Sequence, residues 1–417
     1  MSNTTTQQRV LIIFLVLILL MVTPQKSLGN NLNFQLNDRG LILLVNTQAQ
    51  LGPFSFFLSP WLISGQNETS YGLRKAGLDL GIGSFHLTAG RQLVSFGPGR
   101  YLFPILSPLG KGLTAEGLDQ IGYNFSTRNL KYYKFYAWVP NSGFRILLGQ
   151  RTTLNVGPFT LGYSETALAK EGAPNFYYLP LPFIPVAFYQ FLADHTFDLA
   201  EADGALNLLA ELDLTLRLAP QMKIYAGYLV DNRPLPYLED GSYYYWRPPA
   251  KDSLPWQVGY QYGLEWGKPL GIPGIKLYTE YTRINQFTYT NPDPFFNYTY
   301  KGTNLGGPLG PDADQLNIEL VSTSEGQWQY GFAFSRKRQG EGKIGDQWTY
   351  QPGETEVFLT GTVETTDSFA LSATKSMGES DAVTLTISIA RLTNPDHLPG
   401  SITYQPAISV LGKVSWE

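Results

Sequence analysis

Cysteine is absent from the 417 residues, which excludes a disulfide scaffold and any thiolate metal site. Histidine is nearly absent too. His86, His195 and His397 are scattered along the chain, and no GxSxG, HExxH or phosphate-loop pattern accompanies them. Asp194-His195 would complete a triad only with a distant serine brought beside it, so the chain reads as a non-enzyme that needs no cofactor. Charge is scarce: 15% of residues, against roughly a quarter in soluble domains. The net charge of -4, without basic stripes, excludes a nucleic-acid footprint. Past the N-terminus, long apolar runs are also missing. The longest, around Leu179 to Phe188, is broken by Pro180, Pro182 and Pro185, so no transmembrane helix is expected there.

The N-terminus is different. Arg9 precedes the apolar run Val10 to Val22, too short for a span, and Ser27-Leu28-Gly29 offers small residues for a signal peptidase. We read residues 1–29 as a signal peptide cleaved near Gly29, and 30–417 as one domain.

Aromatics are abundant, at 14%. A chain with so little charge needs a very large core or a non-aqueous solvent on one side. Period-two alternation fills the text after Asn30, and helix start and stop signals are few. In Leu208 to Leu218, the residues Leu208, Ala210, Leu212, Leu214, Leu216 and Leu218 share one face. Glu211, Asp213, Thr215 and Arg217 share the other with Leu209. Val383 to Ile389 repeats the pattern, with Thr384, Thr386 and Ser388 opposite.

Strand-like segments number about 18 to 20, most about ten residues long, which at a tilt near 40° cover roughly 25 Å, the height of an apolar barrel band. They include Gln347 to Gln351 and Glu356 to Val363. Long connections at Gly97 to Gly117, Gly172 to Gly204, Asn232 to Pro255 and Phe287 to Asp314 alternate with tight turns. Alternating strand direction then puts the long loops largely on one side. That asymmetry predicts an all-β, up-and-down antiparallel transmembrane barrel of about 18 strands, in the bacterial outer membrane, with long extracellular loops.

Glu211, Asp213, Arg217, Lys276 and Glu280 are expected to face the lumen, either as a salt-bridged network or as the lining of a conducting pore. Asp312-Ala313-Asp314 lacks the further ligands of a calcium loop and reads as a turn with solvated carboxylates; no metal site is expected. The long loops concentrate aromatics and prolines, as in PNFYYLPLPFIPVAFYQF, SYYYWRPP and DPFFNYTY. Sugar rings present flat apolar faces edged with hydroxyls, which that mixture suits. The candidate polysaccharide contacts are Tyr177, Tyr178, Asp231, Arg233, Tyr243, Tyr244, Trp246, Tyr298 and Tyr300; each Tyr is equally open to girdle or plug roles.

The segment AGRQLVSFGPGRYLFPILS, with Gly97, Pro98 and Gly99, resembles the Gly-Pro-Gly signature of the capsule assembly protein Wzi family, which usually has Trp where Phe96 stands. YTYKGTNLGGPLGPDADQL resembles a second signature of that family through Tyr300, Gly302, Leu305 and Gly306, followed by Gly310 and Asp314. YSETAL and YAGYLVDN fall between them in the same order. The resemblance implies an 18-stranded barrel that acts as a lectin, holding capsular or related polysaccharide at the cell surface, with outer-membrane lipid around it and no partner chain. A diffusion channel for sugars or small solutes is the alternative.

Overall fold

The computed structural model describes residues 30–38, 40–65, 69–110, 112–141, 143–170, 183–185, 206–232, 256–291, 293–322, 326–347, 356–378 and 380–416. The expected signal peptide lies outside the described residues. In chain order the strands begin with β1 (Asn30–Asn37), β2 (Gly40–Leu51), β3 (Phe54–Ser64), β4 (Thr69–Ile82) and β5 (Phe85–Gln92). Next come β6 (Leu118–Ser126), β7 (Leu130–Trp138), β8 (Arg145–Val156), β9 (Phe159–Lys170) and β10 (Leu206–Ala219). β11 (Met222–Asn232), β12 (Gln257–Gly267) and β13 (Ile275–Ile284) follow, then a two-residue hairpin of β14 (Thr299–Tyr300) and β15 (Thr303–Asn304). The chain ends with β16 (Ala313–Ser322), β17 (Trp328–Gln339), β18 (Glu364–Ser376), β19 (Ala382–Thr393) and β20 (Ile402–Trp416).

All but β14 and β15 form one 18-stranded antiparallel sheet. Each strand pairs with its sequence neighbour, and β20 returns to β1, with Asn30 opposite Trp416 and Leu36 opposite Val410. Closure removes every sheet edge, which hydrocarbon requires because it offers backbone groups no partners. Connections at the end holding both termini span two to seven residues. At the other end lie 93–117, 171–205, 233–256, 285–312 and 340–363. Long loops mark the outward-facing end of such barrels.

One expectation is corrected: Glu356 to Val363 is not a strand. Gln347 to Gln351 lies mostly outside the described residues. Around them, 340–363 is a fifth long connection whose backbone bonds to another loop, with Gln286 N donating to Val357 O at 2.9 Å. Conversely, Asn30–Asn37 is a full strand that pairs on both sides.

Pairing register shows how the wall is banded, because directly opposed residues share a face. The row Leu277, Leu320, Phe332, Leu371, Ile387 and Ile408 crosses β13 and β16–β20 in register. Leu371, Ile387 and Ile408 are each more than half exposed. Four residues toward the outer end, about 10 Å higher, runs the row Tyr281, Leu316, Arg336, Asp367, Arg391 and Tyr404. Arg336 and Asp367 form an ion pair there at 2.6 Å. Near the inner end, Trp328 stacks on Tyr330 with centroids 6.4 Å apart. Apolar rows between aromatic and charged rims are the profile of a wall immersed in lipid.

β10 bears out the alternation: Leu212 and Leu214 are exposed outward, whereas Leu209, Glu211 and Asp213 are buried. Ile387→Arg places a charge in the middle of the lipid-facing band and is expected to destabilise by about 2–4 kcal/mol. Thr386→Arg, on the lumen face, is expected to leave stability nearly unchanged. Urea unfolding in detergent micelles, followed by the heat-modifiable shift on gels, measures both.

Candidate functional site: a plug clamped in the lumen

Inside the outer half of the barrel, two connections pack into a single aromatic core. From 93–117 come Phe96, Ile105, Leu106 and Leu109; from 285–312 come Tyr289, Phe296, Tyr298, Leu305 and Leu309. They meet Phe135, Leu147, Leu168, Leu209, Leu229 and Ile284 from the lumen face of the wall. The two connections are tied directly. Ser107 N donates to Leu305 O at 2.8 Å, and the hydroxyls of Tyr289 and Tyr298 donate to Pro104 O and Ile105 O at 2.6 and 2.9 Å. Burial pushes both phenols well above their ordinary range, so they remain donors at any physiological pH.

Glu280 of β13 anchors the first connection. One carboxylate oxygen accepts the amides of Arg100 and Tyr101 at 2.6 and 3.3 Å; the other accepts that of Leu102 at 3.0 Å. The Tyr225 hydroxyl adds a fourth donor at 2.7 Å, and Gln261 Nε2 donates to Leu102 O at 2.9 Å. Outside this knot, Arg100 pairs with Glu319 at 3.0 Å and lies 3.7 Å over the Tyr278 ring. The Tyr101 hydroxyl also donates to Glu319, and burial first, then that bond, raises its pKa.

The Gly-Pro-Gly motif makes the approach feasible. Gly97 has φ +115°, and an added Cβ would sit 3.0 Å from the buried Glu211 carboxylate. A Cβ on Gly99 would overlap the carbonyl of Leu102 and the Gln261 amide. In the second motif, Lys301 and Gly302, both at positive φ, turn the β14–β15 hairpin, and Leu305 is fully buried. Gly306 leaves room for the Tyr289 ring, and Gly310 turns at φ +74°. The motif residues are therefore plug-building residues.

The inward charges divide by depth. Asp213 is held by Arg151 at 2.7 and 3.1 Å, so it belongs to a bridged network. Arg217 and Lys276 line a vestibule of about 460 Å³ at the inner end, beside a Lys223–Glu265 pair at 2.8 Å. Asp312 corrects an expectation. Its carboxylate is buried, not solvated, and accepts Gly342 N at 2.9 Å, Thr360 N at 3.1 Å and the Thr360 hydroxyl at 2.6 Å. Asp314 pairs with Arg338 on the outer wall. The clamp partner Glu280 was visible as an inward carboxylate, but nothing in the pattern links it to Arg100, 180 residues away.

Of the candidate polysaccharide contacts, Tyr177, Tyr178, Arg233, Tyr243, Tyr244 and Trp246 lie outside the described residues. Tyr298 is fully buried in the plug, which corrects it as a ligand contact, and Asp231 accepts the Tyr289 amide at 2.6 Å. Tyr300 is 9% exposed, with the Lys301 ammonium 5.4 Å from its ring centroid. His86 pairs with Asp79 beside an inner turn, and His397 bonds Thr362 O at the outer end.

No protein-family model and no curated protein matches the sequence. Solved structures do match. Wzi of Escherichia coli, an outer membrane protein involved in group 1 capsule assembly and a carbohydrate-binding β-barrel, aligns with a TM-score of 0.61 at 11% identity. The alignment covers 92% of this chain and 84% of that one. OccK5 (OpdH) and OccK10 (OpdN) of Pseudomonas aeruginosa each align at TM-score 0.51, with 8% and 7% identity. They cover 93% and 94% of this chain, and 96% and 99% of their own. Such identities establish the fold alone, that of an outer-membrane barrel.

Charged hydrogen bonds are worth about 1.5–3 kcal/mol each, so Glu280→Gln is expected to loosen the plug. The measurement is planar-bilayer conductance, where this variant should show longer and larger openings than the parent. Glu319→Gln, whose partner Arg100 is partly exposed, should change conductance far less.

Proposed function

We propose that this barrel is a non-enzymatic lectin of the outer membrane that retains capsular or related polysaccharide at the cell surface. The observation that carries the reading is the plug: the outer lumen is filled by a packed aromatic core clamped to wall carboxylates. A barrel built for free diffusion keeps that space open. Support also comes from the likeness to carbohydrate-binding Wzi and from the aromatic, proline-rich text of the outer connections. Arg233, Tyr243, Tyr244 and Trp246 supply stacking faces and hydrogen-bond donors for sugar rings. Many weak contacts along a repeating polymer retain it without a tight single site. The chain works as a monomer surrounded by lipid, exported by residues 1–29. The separate placement of His86 and His397 supports a binding role over catalysis.

One observation favours a second reading, a solute channel. On β18 and β19 the lumen-facing Ser372, Thr374, Thr384, Thr386 and Ser388 stay part-exposed, so that sector is less tightly packed. Deleting the protein and fractionating surface glycan separates the readings. Retention predicts that cells still make polymer but release most of it into the medium. Unchanged retention, together with a large steady conductance of the purified protein, would establish the channel instead.

A further inference from the structure

The outward face of β7–β9 breaks the banding described above. Glu165 pairs with Ala210 and Gln150, and Gln150 pairs with Lys134. Ser164, next to Glu165, pairs with the lumen-facing Glu211. Glu165, Gln150 and Lys134 therefore point away from the lumen, toward lipid. Four residues below, on the same face, Leu161 and Leu154 are 47% and 40% exposed, as a lipid-facing wall should be. Lys134 and Glu165 are 0% exposed, and Gln150 is 4%.

What covers them is visible at one point. Ile184 O accepts from Gln150 Nε2 at 3.1 Å, and the Phe183 ring lies 4.6 Å from that of Tyr132. The wall groups bond to one another as well: Gln150 Nε2 to Glu165 Oε2 at 2.7 Å, the Tyr132 hydroxyl to Gln150 Oε1 at 3.0 Å, and the Tyr163 hydroxyl to Glu165. Tyr132 is the third residue of β7 counted from its inner end. At about 2.5 Å of height per residue, it lies roughly 15 Å below the outer end of that strand. A wet surface loop does not reach that depth on the lipid side.

We propose that Phe183 to Pro185, within the charge-free text 174–191, dock on the outside of β7–β9 as an intramembrane strap, with Lys134, Gln150 and Glu165 as the polar anchor. Three properties argue for this occupant. The stretch carries no Asp, Glu, Lys or Arg in 18 residues, so hydrocarbon tolerates it. Its four prolines remove four N–H groups that would otherwise need acceptors in lipid. The carbonyls left over need donors, and the wall offers an amide at Gln150 that already holds the Ile184 carbonyl. Phe183 itself is 48% exposed, an apolar ring turned outward.

The cysteine-free chain makes the test direct. Phe183→Cys and Lys343→Cys, the latter on the exposed outer connection 340–363, are expressed separately in cells and treated with a membrane-impermeant maleimide. Retention of the heat-modifiable gel shift certifies folding of each variant. Lys343→Cys should label readily, and Phe183→Cys at least about tenfold more slowly, because hydrocarbon excludes the charged reagent. In proteoliposomes, a fluorophore at Phe183→Cys should be quenched by bromines on lipid acyl chains. A short bis-methanethiosulfonate linker should join Gln150→Cys to Ile184→Cys within one chain. Equal labelling of the two single variants would overturn the strap and return the stretch to the wet outer surface. A linker product found only as a covalent dimer would overturn it too, by assigning the patch to a second copy of the chain.

Discussion

Backbone that leaves a ladder inside a barrel must find hydrogen-bond partners without the help of bulk water. Four buried or partly buried charges among the described residues answer that demand. Glu280 takes three successive amides from Arg100 to Leu102, Asp312 takes those of Gly342 and Thr360, and Asp231 takes that of Tyr289. Arg145 does the converse. Buried, it donates to the carbonyls of Val139, Phe295, Asn297 and Thr299. Glu280, Asp231 and Arg145 thus tie two connections to the wall, and Asp312 ties 340–363 to 285–312. A low overall charge is compatible with a stable plug because these four charges are spent on backbone groups, each such bond contributing about 1.5–3 kcal/mol.

The lipid side obeys a different economy. Its ion pairs Arg336–Asp367 and Arg338–Asp314 join neighbouring strands above the apolar rows, and Arg283–Glu356 joins β13 to the 340–363 connection. Exposed pairs of this kind contribute little stability. Their use is positional: with Tyr281 and Tyr404 they fix where hydrocarbon ends. β7–β9 depart from that arrangement, and the departure coincides with the one described piece of the 171–205 connection, Phe183 to Pro185.

Period-two alternation made the barrel readable, since a closed wall has lipid on one face at every strand; Leu212 and Glu211 could be assigned to opposite sides from text alone. β1 does not stand out in the text because NNLNFQLN is poor in β-branched residues, and its strand identity comes from pairing with both β2 and β20. Glu356 to Val363 misled for the opposite reason: it alternates but has no ladder partner. The plug was half legible. Its glycine motifs and inward carboxylates stood out, but their pairing depends on contacts across the lumen between residues far apart in sequence. Tyr298 shows the remaining ambiguity, because an aromatic in an outer loop reads alike whether it faces sugar or core.

The pairing of the first strand with the last sets the order of events in assembly. Asn30–Asn37 acquires its second neighbour only when Ile402–Trp416 has been delivered, nearly the full chain length later. Until then two edges lie open, and the clamp on Arg100 waits for β13. Contacts so distant in sequence form slowly. The seam that closes the wall is therefore the pairing most distant in sequence, and every strand between has both neighbours before it forms.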